Sequence, residues 1–140
     1  MIVTFEQAKK LKELGYDKEC RDWYNFDKGN NLKEDTLVHG KDFKCYNLLD
    51  HLNQIVGYAS APSVSNALDW LSEYKGIDNG VYPKIIEIKN REIQVVNYVA
   101  KAIDINEGWK ILNVKHISGL NKSIAESALL NSILDYLSIK

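Results

Sequence analysis

A chain of 140 residues, 45% hydrophobic and 26% charged, is long enough to bury a core without a disulfide or metal staple and too apolar for intrinsic disorder. Its formal net charge of −1 is spread evenly, with nine basic and ten acidic side chains in residues 1–60 and nine of each in 61–140, so composition offers no basic stripe for phosphates. The opening MIVTFEQAKKLKEL is charged from Glu6 onward, no apolar run approaches the ~20 residues of a membrane helix, and Cys20 and Cys45 make no CxxC pair. The expectation is therefore one soluble domain over 1–140, with reduced thiols and a cytoplasmic location.

Helix signals come first. Thr4 and Gln7 have the spacing of a capping box, Val3 and Ala8 that of a hydrophobic staple. Phe5, Ala8, Leu11 and Leu14 then recur about once per turn, while Lys9, Lys10, Lys12 and Glu13 are set to face water. Gly15 supplies a left-handed stop, and Tyr16 can pack back on Leu11, so a helix is predicted over about 4–14. Residues 17–24 fit either a short second helix or the start of an extended segment. Asp27 to Asn31 form a turn cluster, and residues 36–46, with Thr, Val, Phe, Cys and Tyr among alternating polar positions, suit a strand. Tyr46, Leu49, Leu52 and Ile55 recur three apart, which predicts a short helix over 46–54.

Ser63 is a good N-cap, and Val64, Ala67, Leu68, Leu71 and Tyr74 make a buried stripe with Trp70 on its flank, ended by Gly76. From Val81 the β-branched and aromatic content rises, and Tyr82–Lys89, Glu92–Ile103 and Trp109–Ile117 are predicted strands. Short links at Lys89-Asn90-Arg91 and Asn106-Glu107-Gly108 make all three antiparallel. The chain closes on a helix from about Asn121 to Leu137. Ile124, Ala125, Ala128, Leu129, Leu130, Ile133, Leu134 and Leu137 cover more than half its circumference, opposite a narrow stripe of Ser123, Ser127, Asn131 and Asp135. So wide an apolar surface needs cover on two sides, from the same chain or from a second subunit. The fold class predicted is α+β, a three-stranded antiparallel sheet packed against helices, extended to four strands by residues 36–46, with C-terminal order α-β-β-β-α.

Four segments, TFEQAKKLKELGYDKEC at 4–20, YNLLD at 46–50, APSVSNALDWLSEYKGI at 61–77 and SIAESALLNSILDYL at 123–137, resemble a family of small proteins of Bacteroidetes genomes and their phages or mobile elements. That family has no established activity to carry over. The resemblance implies a bacterial or phage origin and an accessory role.

Cys20, His39, Cys45 and His51 are metal-ligating residues, but 18, 5 and 5 residues intervene, whereas structural zinc sites use close pairs so that one turn aims two ligands. Cys45 with His39 or His51 supplies a thiol and a base, without a nucleophile-elbow context. The glycines are scattered as helix stops and turns rather than clustered as a phosphate cradle. The acidic pair Glu34-Asp35 sits in a polar loop. No catalytic residue, metal or cofactor is expected. Among the aromatics, Trp70 and Trp109 are expected in the core, whereas Trp23, Tyr24 and Phe26, beside a polar turn, are candidates for an exposed patch.

The leading expectation is a non-enzymatic binding module, a homodimer acting by protein contacts through Trp23, Tyr24 and Phe26 and through Leu130, Leu134 and Leu137 of the last helix. The alternative is a nucleic-acid-binding accessory protein. The order helix, three strands, helix is shared with double-stranded-RNA-binding domains, and Lys84, Lys110, Lys115, His116 and Lys122 would then have to converge on one face. A small-ligand-binding protein or enzyme is the second alternative, for which the sequence names no residues.

Overall fold

The computed structural model describes residues 1–25, 35–49, 57–89, 92–114 and 121–139. The chain divides into two compact units, residues 1–67 and 68–140.

The first unit opens with helix α1 (Phe5–Glu13). Thr4 is its N-cap, and the box closes in both directions: the Gln7 N–H donates to Thr4 Oγ1 at 3.2 Å, and the Thr4 N–H donates to Gln7 Oε1 at 2.9 Å. Val3, Ala8 and Leu11 are fully buried, Gly15 takes φ +92°, and the Tyr16 N–H bonds the Leu11 carbonyl at 2.9 Å, as the stop signal requires. Lys12 departs from expectation. It is half-buried, and its Nζ donates to the Tyr58 carbonyl, because its long stem crosses apolar surface to reach an acceptor.

Behind α1 lies a three-stranded antiparallel sheet of order β2-β1-β3, made of β1 (Cys20–Asn25), β2 (Leu37–Lys44) and β3 (Tyr58–Ser60). The ambiguous stretch after α1 is thus a strand, and a central one. Trp23 pairs with Val38 on one side and Ser60 on the other. Of residues 36–46, Leu37–Lys44 form a strand, but it joins this N-terminal sheet and adds nothing to the C-terminal one. Its partner β1 carries too few alternating residues to be read as a strand in advance.

One short helix, α2 (Tyr46–Leu49), is held by Asn47. The Asn47 N–H donates to Ser60 Oγ, the Ser60 N–H donates to Asn47 Oδ1, and Asn47 Nδ2 donates to the Tyr16 carbonyl, all within 3.0 Å. Each of these groups is buried, so each bond satisfies a donor or acceptor that water cannot reach. The rest of the predicted 46–54 helix lies outside the described residues. The N-terminal residues close the unit: the Val3 N–H bonds the Pro62 carbonyl, and the Val64 N–H, at the start of helix α3 (Val64–Lys75), bonds that of Met1.

The second unit has the order α-β-β-β-α. The C-terminal part of α3 leads through Gly76 into β4 (Ile77–Lys89), which pairs with β5 (Glu92–Asp104); β6 (Lys110–Ile111) and α4 (Lys122–Ile139) follow. The sheet order is β4-β5-β6, antiparallel throughout. β4 begins five residues before Tyr82, the predicted start: Ile77 and Val81 supply the β-branched residues, while Asp78-Asn79-Gly80 between them disguise the strand as a loop. β6 is much shorter than the predicted 109–117, although the Leu112 N–H still reaches the Ala102 carbonyl at 2.9 Å. Residues 115–117 lie outside the described residues.

Register sorts this sheet into two faces. Ile77, Asn79 and Val81 share one with Asp104, Ala102 and Ala100, and with Lys110 and Leu112. Ile77, Ala102, Asp104 and Leu112 are buried there. Helix α4 packs on β4 and β5, and Tyr136 donates its hydroxyl to Asp104 Oδ2 at 2.8 Å, which fixes this as the helix side. Asn79 Nδ2 bonds the Leu68 carbonyl of α3 from the same face. Ala125, Leu129, Leu130, Ile133 and Leu134 of α4 are buried.

Candidate functional site

The first unit holds the residue types from which thiol or metal chemistry would be built, and the hydrogen bonds of its thiols set them against it. Asp22 pairs across the ladder with His39, and His39 Nδ1 lies 3.1 Å from Asp22 Oδ1, on the surface. Cys45 follows Lys44, which pairs with Cys20 where the ladder bulges, two β1 residues before Asp22. Its Sγ donates to the Asp17 carbonyl at 3.0 Å, and Cys20 Sγ donates to that of Asp22 at 3.1 Å. A thiol that donates to a carbonyl is protonated, and burial pushes both thiols above their ordinary range, the reverse of nucleophile activation. His51 lies outside the described residues. Among the described residues no group of three or more His, Cys, Asp or Glu is placed to hold a metal ion.

The same burial makes an alkaline instability. The hydroxyls of Tyr16, Tyr24 and Tyr46 are also pushed up, in each case first by burial and then by nearby acidic groups. A raised acid contributes stability that is complete below its unfolded-state value and declines as pH climbs toward the folded one. Lys12, lowered by burial, works in the opposite sense, one group against five. The urea midpoint is therefore expected to hold near neutrality and to fall from about pH 8.5, where free thiols begin to ionise, through the tyrosine range near 10. A midpoint that stays level or rises over that interval would contradict the assignment.

The predicted interaction residues are not brought together. Tyr24 is 9% exposed, with its ring 5.6 Å from Phe5 and its hydroxyl bonded to the Val3 carbonyl. Trp23 is half-buried, edge-on to Tyr58 at 4.6 Å and 6.0 Å from Tyr46. Phe26 lies outside the described residues. In the last helix Leu130 and Leu134 have no exposed surface, and only Leu137 keeps some. The basic residues do not converge either. Lys110 shares the helix-side face with Asp104, its Nζ 5.4 Å from the Tyr136 ring centre. Lys84 is seven residues beyond Ile77 on the other face, about 23 Å along the strand. Lys122 is exposed at the start of α4, and Lys115 and His116 lie outside the described residues.

What the second unit does present is the other face of its sheet. Asp78, Gly80, Tyr82 and Lys84 of β4 alternate along it, beside Ile103, Lys101 and Val99 of β5 and Ile111 and Asn113 beyond the next turn. No helix of this unit lies on it among the described residues. Tyr82 is 55% exposed and Ile111 78% exposed, while Val99 and Ile103 are half-buried. The Tyr82 ring lies back over Gly80, where an added Cβ would meet it at 2.6–2.9 Å, so the glycine makes room for an aromatic laid flat on the strand. At the mouth of β6, Trp109 adopts φ +65° directly after Gly108 at +69°. A bulky residue is strained there, and this one remains 67% exposed. The expected core position for Trp109 is thus corrected: the left-handed turn carries it outward. Tyr74, also expected in the core, is 50% exposed at the end of α3. Sequence alternation in β4 held the signal for the open face, but Asp78-Asn79-Gly80 hid where the strand began.

The class that these observations define is an α+β chain with two three-stranded antiparallel sheets, the second covered by helix on one side only. No family model, curated protein or solved structure matches it. Among the described residues no helix is long and apolar enough to cross a membrane.

Proposed function

We propose that the chain is a non-enzymatic protein-interaction module that works through the open face of its C-terminal sheet and assembles as a homodimer. The observation that carries this reading is the row of exposed Tyr82 and Ile111 with half-buried Val99 and Ile103 on a sheet whose opposite side carries α4. Aromatic and aliphatic side chains held rigidly on strands lose little entropy on docking, which is why such residues dominate interface energetics. The strained, exposed Trp109 beside that face favours the same reading. The separation of Lys84 from Lys110 by a sheet thickness counts against a shared phosphate track. An accessory role in a bacterial or phage setting accords with a module that binds rather than catalyses.

Size-exclusion chromatography with light scattering, followed at 260 and 280 nm from about 5 µM to about 0.5 mM, tests the reading. A species of twice the 16.0 kDa chain mass, free of nucleic acid, is the expected result. A chain that stays monomeric throughout, or one that carries nucleic acid which salt removes, would overturn it.

A further inference from the structure

The open face carries its charges in an order that specifies how two copies meet. Along β4 it reads Asp78, Gly80 under the Tyr82 ring, Tyr82, then Lys84. A negative end and a positive end thus flank an aromatic centre, with Val99 beside Tyr82 on β5. Asp78, Lys84 and Lys101 are exposed and make no ion pair among the described residues.

We infer that two chains stack these faces about a two-fold axis lying between the sheets and across the strands, level with residue 81. This rests on the homodimer reading above and adds its geometry. The operation lays β4 antiparallel on the β4 of the second copy. Asp78 then faces Lys84 of the second copy, and Lys84 faces Asp78, while the two Tyr82 rings meet near the axis and Lys101 comes up beside the opposing Val99. An axis along the strands would instead set Asp78 on Asp78 and Lys84 on Lys84, so the charges select one of the two ways in which faces pack nearly aligned. A two-fold contact is isologous, and a face that reads minus, aromatic, plus is complementary to its own reverse. The near-neutral chain adds no long-range repulsion between copies. Ile111, on β6 at the Asp78 end, falls beyond the opposing β5, where the second copy has no third strand, and stays at the rim of the contact.

The test uses the full chain and three samples: Asp78→Lys, Lys84→Glu, and an equimolar mixture of the two. Each variant alone sets like charge on like charge twice and is expected to dimerise about tenfold more weakly than wild type. In the mixture Lys84 of one chain meets Asp78 of the other, and the two introduced charges meet as an opposite pair, so heterodimers should regain wild-type affinity by sedimentation equilibrium. Both sites are exposed, and unchanged urea midpoints confirm that the fold is intact. A wild-type dimer indifferent to both variants, or a mixture no tighter than its components, overturns this geometry while leaving the homodimer reading standing. A wild-type chain that never dimerises overturns both.

Discussion

Leu130→Ala is expected to destabilise the protein by roughly 3–4 kcal/mol, within the range seen when a fully buried leucine leaves a cavity. Leu130 has no exposed surface, and Ala125, Leu129, Ile133 and Leu134 of the same helix are buried with it. Leu137→Ala, at a half-buried position, should cost no more than about 1 kcal/mol. Urea unfolding of the two variants beside wild type makes the comparison. The contrast separates two roles that an apolar helix can have. If Leu130 served assembly, its truncation would shift the concentration dependence of association and leave the monomer's unfolding midpoint where it was. The structure assigns it to the interior, so the loss should appear in unfolding.

At Gly76, substitution by alanine should cost about 2–3 kcal/mol from two separable sources. The residue sits at φ +68°, where a Cβ costs roughly 1–2 kcal/mol. That Cβ would also lie 2.5 Å from Asn106 Nδ2, which donates to the Lys75 carbonyl at 3.1 Å and so caps the end of α3. Displacing Asn106 forfeits about 1 kcal/mol of hydrogen bonding. The neighbouring turn shares the strain, because the Ile105 N–H bonds the Gly76 carbonyl and the Asn106 N–H bonds buried Asp104. In an Asn106→Ala background the steric part is already gone, so the second substitution should cost only the conformational part. Strict additivity in that double-mutant cycle would show that the two residues do not meet.

Much of this architecture is legible in residue order, and what is not has identifiable causes. The capping box at Thr4 and Gln7, the Gly15 and Gly76 stops and the apolar spacing of α3 and α4 are local signals, and each helix lies where they put it. The strands failed wherever pairing rather than propensity decides. β3 is three residues long and exists because β1 offers it an edge. The first residues of β4 look like a turn, yet the ladder from Ile77 to Asp104 holds them extended. Burial was harder still. Tyr24 looked exposed because its neighbours are polar, but α1 folds over it; Trp109 looked buried because it is large, but a left-handed turn turns it out. Alternation in β4 divides the strand into two faces, but which of them stays open depends on where a distant helix lands.

The β4–β5 hairpin has one further consequence. Its 13-residue strands span about 43 Å, and β4 lies at the edge of the sheet. An edge of that length is a template on which foreign strands can polymerise without limit. Here Pro83 has no N–H to offer an incoming strand, and the ladder is irregular between Lys84 and Ile85 and again between Ile85 and Glu87. Sideways growth along the β4 edge is therefore interrupted midway along the strand.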